Sequence, residues 1–276
     1  MADKYWFDQS LDDFKASINT EDTLDRPLIG LTIDWKVTKS GPDGKKVLSH
    51  PEYLVKLYVE LIEQAGGKCY IIGFDEPLES YREKLDGLVI GGGRDIHPMH
   101  YGEKINGSMV PQESEDRWEA VKEMYYGLPK SCPLFGICWG LQFFNVIQGG
   151  SLVQDIQDKV AHNCKRKVSF KPDSWFAKTC GTELTGLCIH HQVISRAGRN
   201  IEAVGLDDHS NYIHAIEVRE EGRFIIGTQF HPECSYRNEW FREIDPRNLK
   251  MMRGFVEKCT EYKRSRINHN LDHWHG

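Results

Sequence analysis

The sequence holds no long apolar run, no excess of positive charge and no closely paired cysteines, and each absence narrows what the chain can be. No stretch approaches the roughly 20 consecutive apolar residues that a membrane-spanning helix needs, so no membrane partner is expected. A net charge of −6 over 276 residues denies the chain the basic field of a nucleic-acid-binding surface. Lys165-Arg166-Lys167 and Lys263-Arg264 are short local exceptions that read as solvated surface. The eight cysteines form no CxxC pair, and Met1-Ala2-Asp3-Lys4 leads into mixed polar and aromatic residues rather than a signal-like segment. Reduced thiols and a cytoplasmic location are the expectation.

What the chain does have is 39% hydrophobic and 11% aromatic residues, enough for a sizeable core. Residues 1–26 read as a polar extension with scattered aromatics, Tyr5, Trp6, Phe7 and Phe14. A first strand is expected at 28–33. A helix follows from Tyr53 to Ala65, with Leu54, Leu57, Tyr58, Leu61 and Ile62 on one face, and Gly66-Gly67 stops it. The alternation continues with a strand at 69–72, a helix at 77–84, a strand at 85–90, a helix at 113–126, a strand at 134–137 and a helix at 139–147. Such a pattern predicts an α/β fold with a doubly wound, mostly parallel central sheet flanked by helices. After Gly149-Gly150 short β-like segments take over, at 167–170, 201–204, 214–218 and 224–229, so additional short antiparallel strands are expected in the C-terminal half. A last helix is expected from about 246 to 262. One domain over 27–262 with a polar, frayed tail over 263–276 is the resulting organisation.

Within "PLFGICWGLQFF", residues 133–144, an apolar strand meets a helix at Gly136-Ile137-Cys138-Trp139-Gly140. Chemistry in open α/β sheets gathers where strands end. A nucleophile on a sharp strand-to-helix turn needs strained backbone and neighbours without side chains, the logic of the G-x-S-x-G elbow. A helix N-terminus stabilises negative charge, and the thiolate is the reactive form of cysteine. On the corner alone, a buried structural cysteine is the competing account.

Downstream, "GTQFHPE" supplies a base. His231 could take the proton of a thiol and deliver it to a leaving amine, and Glu233 could orient the imidazole. Upstream, "GLVIGGGRDIHPMHYG" runs a strand into Gly91-Gly92-Gly93, whose amides could face a developing oxyanion, with the Trp139 amide as a second donor. Taken singly, a loop histidine, a solvated glutamate and a plain tight turn would each suffice.

The motifs "GGGRDIHPMHYGE", "GICWGLQFFNVIQGGSLVQDI", "IHHQ" and "HAIEV…IIGTQFHPE", in this order, resemble the class I glutamine amidotransferase superfamily. The closer resemblance is to its peptidase C26, γ-glutamyl-γ-aminobutyrate hydrolase-type branch, and it covers about residues 28–260. It implies a class I glutamine amidotransferase-like, flavodoxin-like fold. It also implies Cys138 as nucleophile, His231 as base then acid, Glu233 as orienter, and Gly92, Gly93 and Trp139 as oxyanion donors. Gln142, His190, His191, Gln192 and Arg94 would then surround the substrate, a small γ-glutamyl amide. Helix packing and a turn explain Gln142 and the His190-His191-Gln192 loop equally well.

Two departures stand out. Family members often carry Arg after the nucleophile, where this chain has Trp139, and Asn-Ser before the His pair, where it has Leu187-Cys188. Asp95, Arg94 and the Trp139 side chain are the expected lining of the leaving-amine pocket.

The expected activity is a stand-alone hydrolase releasing glutamate through a thioester. The alternatives are a glutaminase subunit feeding a separate synthase, a folate poly-γ-glutamate hydrolase, and a silent scaffold or binding protein of the same fold. No cofactor is implied. The tail histidines His269, His273 and His275, and the pair His97 and His100, are the metal candidates considered, and no metal is expected at either. Family analogy suggests a homodimer.

Overall fold

The computed structural model describes residues 26–34, 37–40, 46–48, 52–74, 76–110, 114–156, 162–236 and 245–272. The expected 1–26 extension, apart from Arg26, and His273 and His275 lie outside them, as does the side chain of His269.

Strands β1 (Leu28–Thr32), β2 (Val37–Ser40), β3 (Lys46–Leu48), β4 (Lys68–Ile71), β5 (Gly87–Ile90) and β6 (Leu134–Ile137) are followed by β7 (Ser151–Val153), β8 (His162–Phe170) and β9 (Glu183–Ile189). The last four are β10 (Val193–Arg196), β11 (Ile201–Asp207), β12 (Ile213–Val218) and β13 (Ile225–Thr228). Nine of them form one sheet in the order β4-β1-β5-β6-β13-β12-β11-β8-β9. Pairing is parallel from β4 to β13 and antiparallel from β13 through β12 and β11 to β8 and β9. The fold is therefore α/β with a mostly parallel centre and an antiparallel C-terminal half.

The helices are α1 (Glu52–Gln64), α2 (Ser114–Gly127), α3 (Trp139–Ile147), α4 (Trp175–Cys180), α5 (Pro232–Tyr236) and α6 (Arg247–Asp272). Strand side chains alternate between the two faces of the sheet, the period of an extended chain buried on both sides. Ile29, Leu31, Val89, Phe135 and Ile137 point into a core with Val55 and Leu61 of α1, Phe176 of α4 and Met251 and Phe255 of α6. Leu28, Leu88, Ile90 and Leu134 point the other way, against Trp118 and Val121 of α2 and Leu141 and Phe144 of α3.

The structure corrects three local expectations. The helix expected at 77–84 is only the 3₁₀ turn Leu78–Ser80. In the C-terminal half β8 is nine residues, longer than the expected 167–170, and β9 lies where no strand was expected. The last helix does not end at Tyr262 in a polar tail but continues to Asp272. Lys263 donates to the Arg26 carbonyl at 2.7 Å, and Arg266 pairs with buried Asp86 at 2.7 Å. Polar residues thus gain partners across the chain that their own sequence does not reveal.

Candidate active site

Strands β5, β6 and β13 are neighbours and parallel, so their carboxyl ends share one edge of the sheet. Gly91-Gly92-Gly93 leaves β5, Cys138 leaves β6, and Gln229-Phe230-His231 leaves β13. This edge is where an open α/β sheet presents ligand-binding groups.

Cys138 sits between β6 and α3 with φ +54° and ψ −99°, a backbone state that costs on the order of 1–3 kcal/mol for a residue with a side chain. Its amide donates to the Thr228 carbonyl at 2.6 Å, and its carbonyl accepts the Gln142 amide at 3.2 Å. The flanking glycines permit the close approach. A Cβ on Gly136 would strike the Gly140 backbone, and one on Gly140 would strike the Ile90 carbonyl oxygen. Packing of α3 against β5 and β6 therefore holds the turn in its strained form.

His231 is fixed at its backbone by an amide hydrogen bond to the Leu187 carbonyl, 2.8 Å, which draws the end of β9 against the β13 exit. Its Nδ1 lies 2.6 Å from Oε1 of Glu233, a fully buried carboxylate. That contact assigns the Nδ1 proton and leaves Nε2 to serve the thiol. The imidazole is within hydrogen-bonding reach of Cys138. Burial opposes its charge, but Glu233 and Cys138 outweigh burial and hold His231 protonated well above the ordinary imidazole range.

Two side chains that the sequence did not single out complete this cluster. Tyr58 of α1 accepts the Gly92 amide at 2.9 Å, and its hydroxyl lies 3.5 Å from His231 Nδ1. Gly92 was expected as an oxyanion donor; in this structure its amide donates to the Tyr58 hydroxyl. Burial, helped by the Glu233 charge, pushes the Tyr58 hydroxyl well above its usual range, so it stays protonated. Gln229 donates from Nε2 to Cys138 Sγ at 3.6 Å.

Gln142 bonds the Gln192 carbonyl at 3.1 Å and Gln229 Oε1 at 3.3 Å, so it braces the site from α3. Gln192 donates to Ser108 Oγ at 2.8 Å and to the Gln154 carbonyl at 3.0 Å. His191 bridges Asp95 at 2.9 Å and Asp155 at 3.3 Å, and the Asp95 hydrogen bond raises its pKa against burial. Arg94 forks onto Asp34 through Nε at 2.6 Å and Nη2 at 2.7 Å. His190 groups with Cys188 and His214.

The Trp139 side chain, expected in the leaving-amine pocket, lies instead in the core at 2% exposure, stacked on Phe143 and covered by the Arg117 guanidinium. Arg117 is 1% exposed and donates from Nη2 to the Gly91 carbonyl at 2.7 Å. Burial lowers its pKa to about 10, so it remains a cation at neutral pH. Its position inside the charged stretch Ser114-Glu115-Asp116-Arg117-Trp118-Glu119 gave no sign of burial. His97 and His100 serve local structure: His97 Nδ1 accepts the Met99 amide at 3.1 Å, and His100 stacks on Trp118 and bonds Glu115 at 3.0 Å.

No helix among the described residues is long and apolar enough to cross a membrane. Two proteins named "Putative glutamine amidotransferase" are similar to the chain. One, from Schizosaccharomyces pombe, is 29% identical over 78% of this chain and 87% of its own length. The other, from Mycobacterium tuberculosis, is 29% identical over 86% of this chain and 76% of its own. The crystal structure of a putative GMP synthase component from Thermoplasma acidophilum shares the fold, with a TM-score of 0.59 at 21% identity, covering 86% of this chain and 96% of that one. The peptidase C26 family model matches residues 27–233, three-quarters of the chain and every element of the sheet edge just described. The chain therefore belongs to the peptidase C26 family of hydrolases, within the class I glutamine amidotransferase-like superfamily.

Proposed function

We propose that the protein is a cysteine-dependent hydrolase of γ-glutamyl amides, of the γ-glutamyl-γ-aminobutyrate type. The observation that carries this is the strained Cys138 corner facing a histidine already oriented and charged by a buried glutamate.

Cys138 Sγ attacks the γ-carbonyl carbon, with its proton held on His231. The carbonyl oxygen becomes an oxyanion received by the Gly93 and Trp139 amides; Trp139 opens α3, so its N–H has no acceptor within the helix. Collapse breaks the C–N bond as His231 gives the proton to the leaving amine, and a γ-glutamyl thioester remains. Water then attacks the thioester, His231 takes a proton from it, and glutamate leaves as Cys138 is restored. Glu233 keeps the imidazole in one orientation through both halves. Gln142, which bonds both Gln229 next to the sulfur and the Gln192 carbonyl, supports a glutamyl-binding wall on this side.

The test is a panel of γ-glutamyl-GABA, γ-glutamyl polyamines, polyglutamylated folate and glutamine, with mass-spectrometric detection of glutamate and released amine. Turnover of a γ-glutamyl amine, lost on the order of 10³-fold or more in Cys138→Ala, is the expected result. Equal rates for parent and variant would end the proposal. The amidotransferase name carried by both relatives supports a second reading, a glutaminase serving a separate synthase. Under that reading glutamine alone is hydrolysed, and only once a partner protein is added.

A further inference from the structure

The antiparallel half of the sheet curls until β9, at its far edge, meets the exit of β13, and the Leu187–His231 bridge marks the contact. This curl gathers three side chains from separate places in the chain. Cys188 comes from β9, His190 from the turn after it, and His214 from β12. All three are buried, and one donor atom of each lies within 4.8 Å of the other two. Cys188 Sγ is 3.8 Å from His214 Nδ1, and the rings of His190 and His214 meet edge to face with centroids 5.4 Å apart.

We propose that Cys188, His190 and His214 form a site for one thiophilic divalent cation, with zinc as the type ion and water completing four-coordination. One thiolate and two imidazoles make up a borderline-soft donor set that suits zinc. With Zn–S near 2.3 Å and Zn–N near 2.0–2.1 Å, tetrahedral donors sit roughly 3.3–3.6 Å apart. The Cys188–His214 separation of 3.8 Å is close to that edge already, so small side-chain rotations suffice.

The surrounding chemistry supports the same reading. His214 Nδ1 already faces the Cys188 sulfur, so the two donor atoms converge on one point. The ion binds the thiolate, so it displaces the Cys188 proton, and one proton is released for each ion bound. His190, the most exposed of the three at 7%, marks the side from which an ion enters. A plain thiol-to-imidazole hydrogen bond is the arrangement the ion replaces.

A second group of possible ligands, His231, Glu233 and Cys234, lies in the catalytic cluster and must be kept from competing. Cobalt(II) is therefore titrated into full-length Cys138→Ser/Cys234→Ser protein. The expected result is a thiolate-to-cobalt charge-transfer band with tetrahedral visible bands, saturating at one ion per chain and displaced by zinc. Adding Cys188→Ser should abolish the charge-transfer band, and His214→Gln should weaken binding at least tenfold, with far-ultraviolet circular dichroism confirming that each variant is folded. Absence of the band in the background protein, or its survival in a folded Cys188→Ser variant, overturns the site. Neither readout depends on hydrolysis, so the site stands or falls apart from the γ-glutamyl activity.

Discussion

The guanidinium of Arg117 lies over the ring of Trp139, its Cζ 3.8 Å from the ring centroid. The residue that follows the nucleophile in sequence is thus tied to α2 by a desolvated cation–π contact rather than turned toward substrate. Arg117 Nε and Nη1 find no acceptor among the described residues, and the Asp34 carboxylate, the Gly91 carbonyl and the ring face share the compensation of that buried charge. Trp139→Arg, the residue common in relatives of this type, would set two cations together in the core. Urea denaturation should show a loss of about 3–5 kcal/mol, the range for an uncompensated buried charge. Arg117→Met in the same chain should recover a large part of it, giving a clear interaction energy in a double-mutant cycle.

Glu233 is the partner that most favours the charged form of His231. In Glu233→Gln that support disappears and burial dominates, so the His231 pKa should fall. Imidazole NMR titration reads the shift directly. Turnover of the best γ-glutamyl substrate should drop on the order of 10²–10⁴-fold, mainly in kcat, because orientation of the base is lost rather than substrate contact. A His231 titration unchanged by the substitution would show that Glu233 does not set its charge.

Gly140 and Gly149 separate steric from conformational need. A Cβ at Gly140 has nowhere to go, since the Ile90 carbonyl occupies the space. At Gly149 the space is open but φ is +83°. Thermal melts should therefore rank Gly140→Ala as the far more damaging change. Gly149→Ala should cost only about 1–2 kcal/mol, the penalty for a left-handed backbone carrying a side chain.

His214 makes a prediction about acid. Its folded pKa, about 4, lies below the ordinary 6.5 because it is buried. The unfolded chain therefore takes up a proton that the folded chain refuses, and stability falls as pH drops from about 6.5 to about 4. The size is on the order of 3 kcal/mol at the acid end of that window. Denaturation of metal-free protein at stepped pH should show this slope, and His214→Gln should flatten it.

The nucleophile corner, the His231–Glu233 pair and the glycine turn were legible because each is a short local pattern with a chemical reason. Parallel β5, β6 and β13 then carry those patterns to one edge. Tyr58 was legible only as one more apolar-face residue of α1, because its hydroxyl acts on Gly92, 34 residues away. Arg117 was hidden by its charged neighbours, and the Cys188–His190–His214 group required the curl of the antiparallel half. The continuation of α6 was invisible for a similar reason: Arg266 is helical next to Asp86, 180 residues away in sequence.

Pairing of β13 with β6 has a consequence in time. Cys138 and Gln229 are 91 residues apart, and the amide of Cys138 bonds to Thr228 on β13. A chain still being synthesised therefore exposes its thiol well before the strand bearing the base has emerged. Non-local pairings of this kind close slowly, since the loop entropy is spent before the contacts form. The thiol gains its base and orienting carboxylate only after the sheet has closed around it, so a half-made chain has no assembled hydrolase to release.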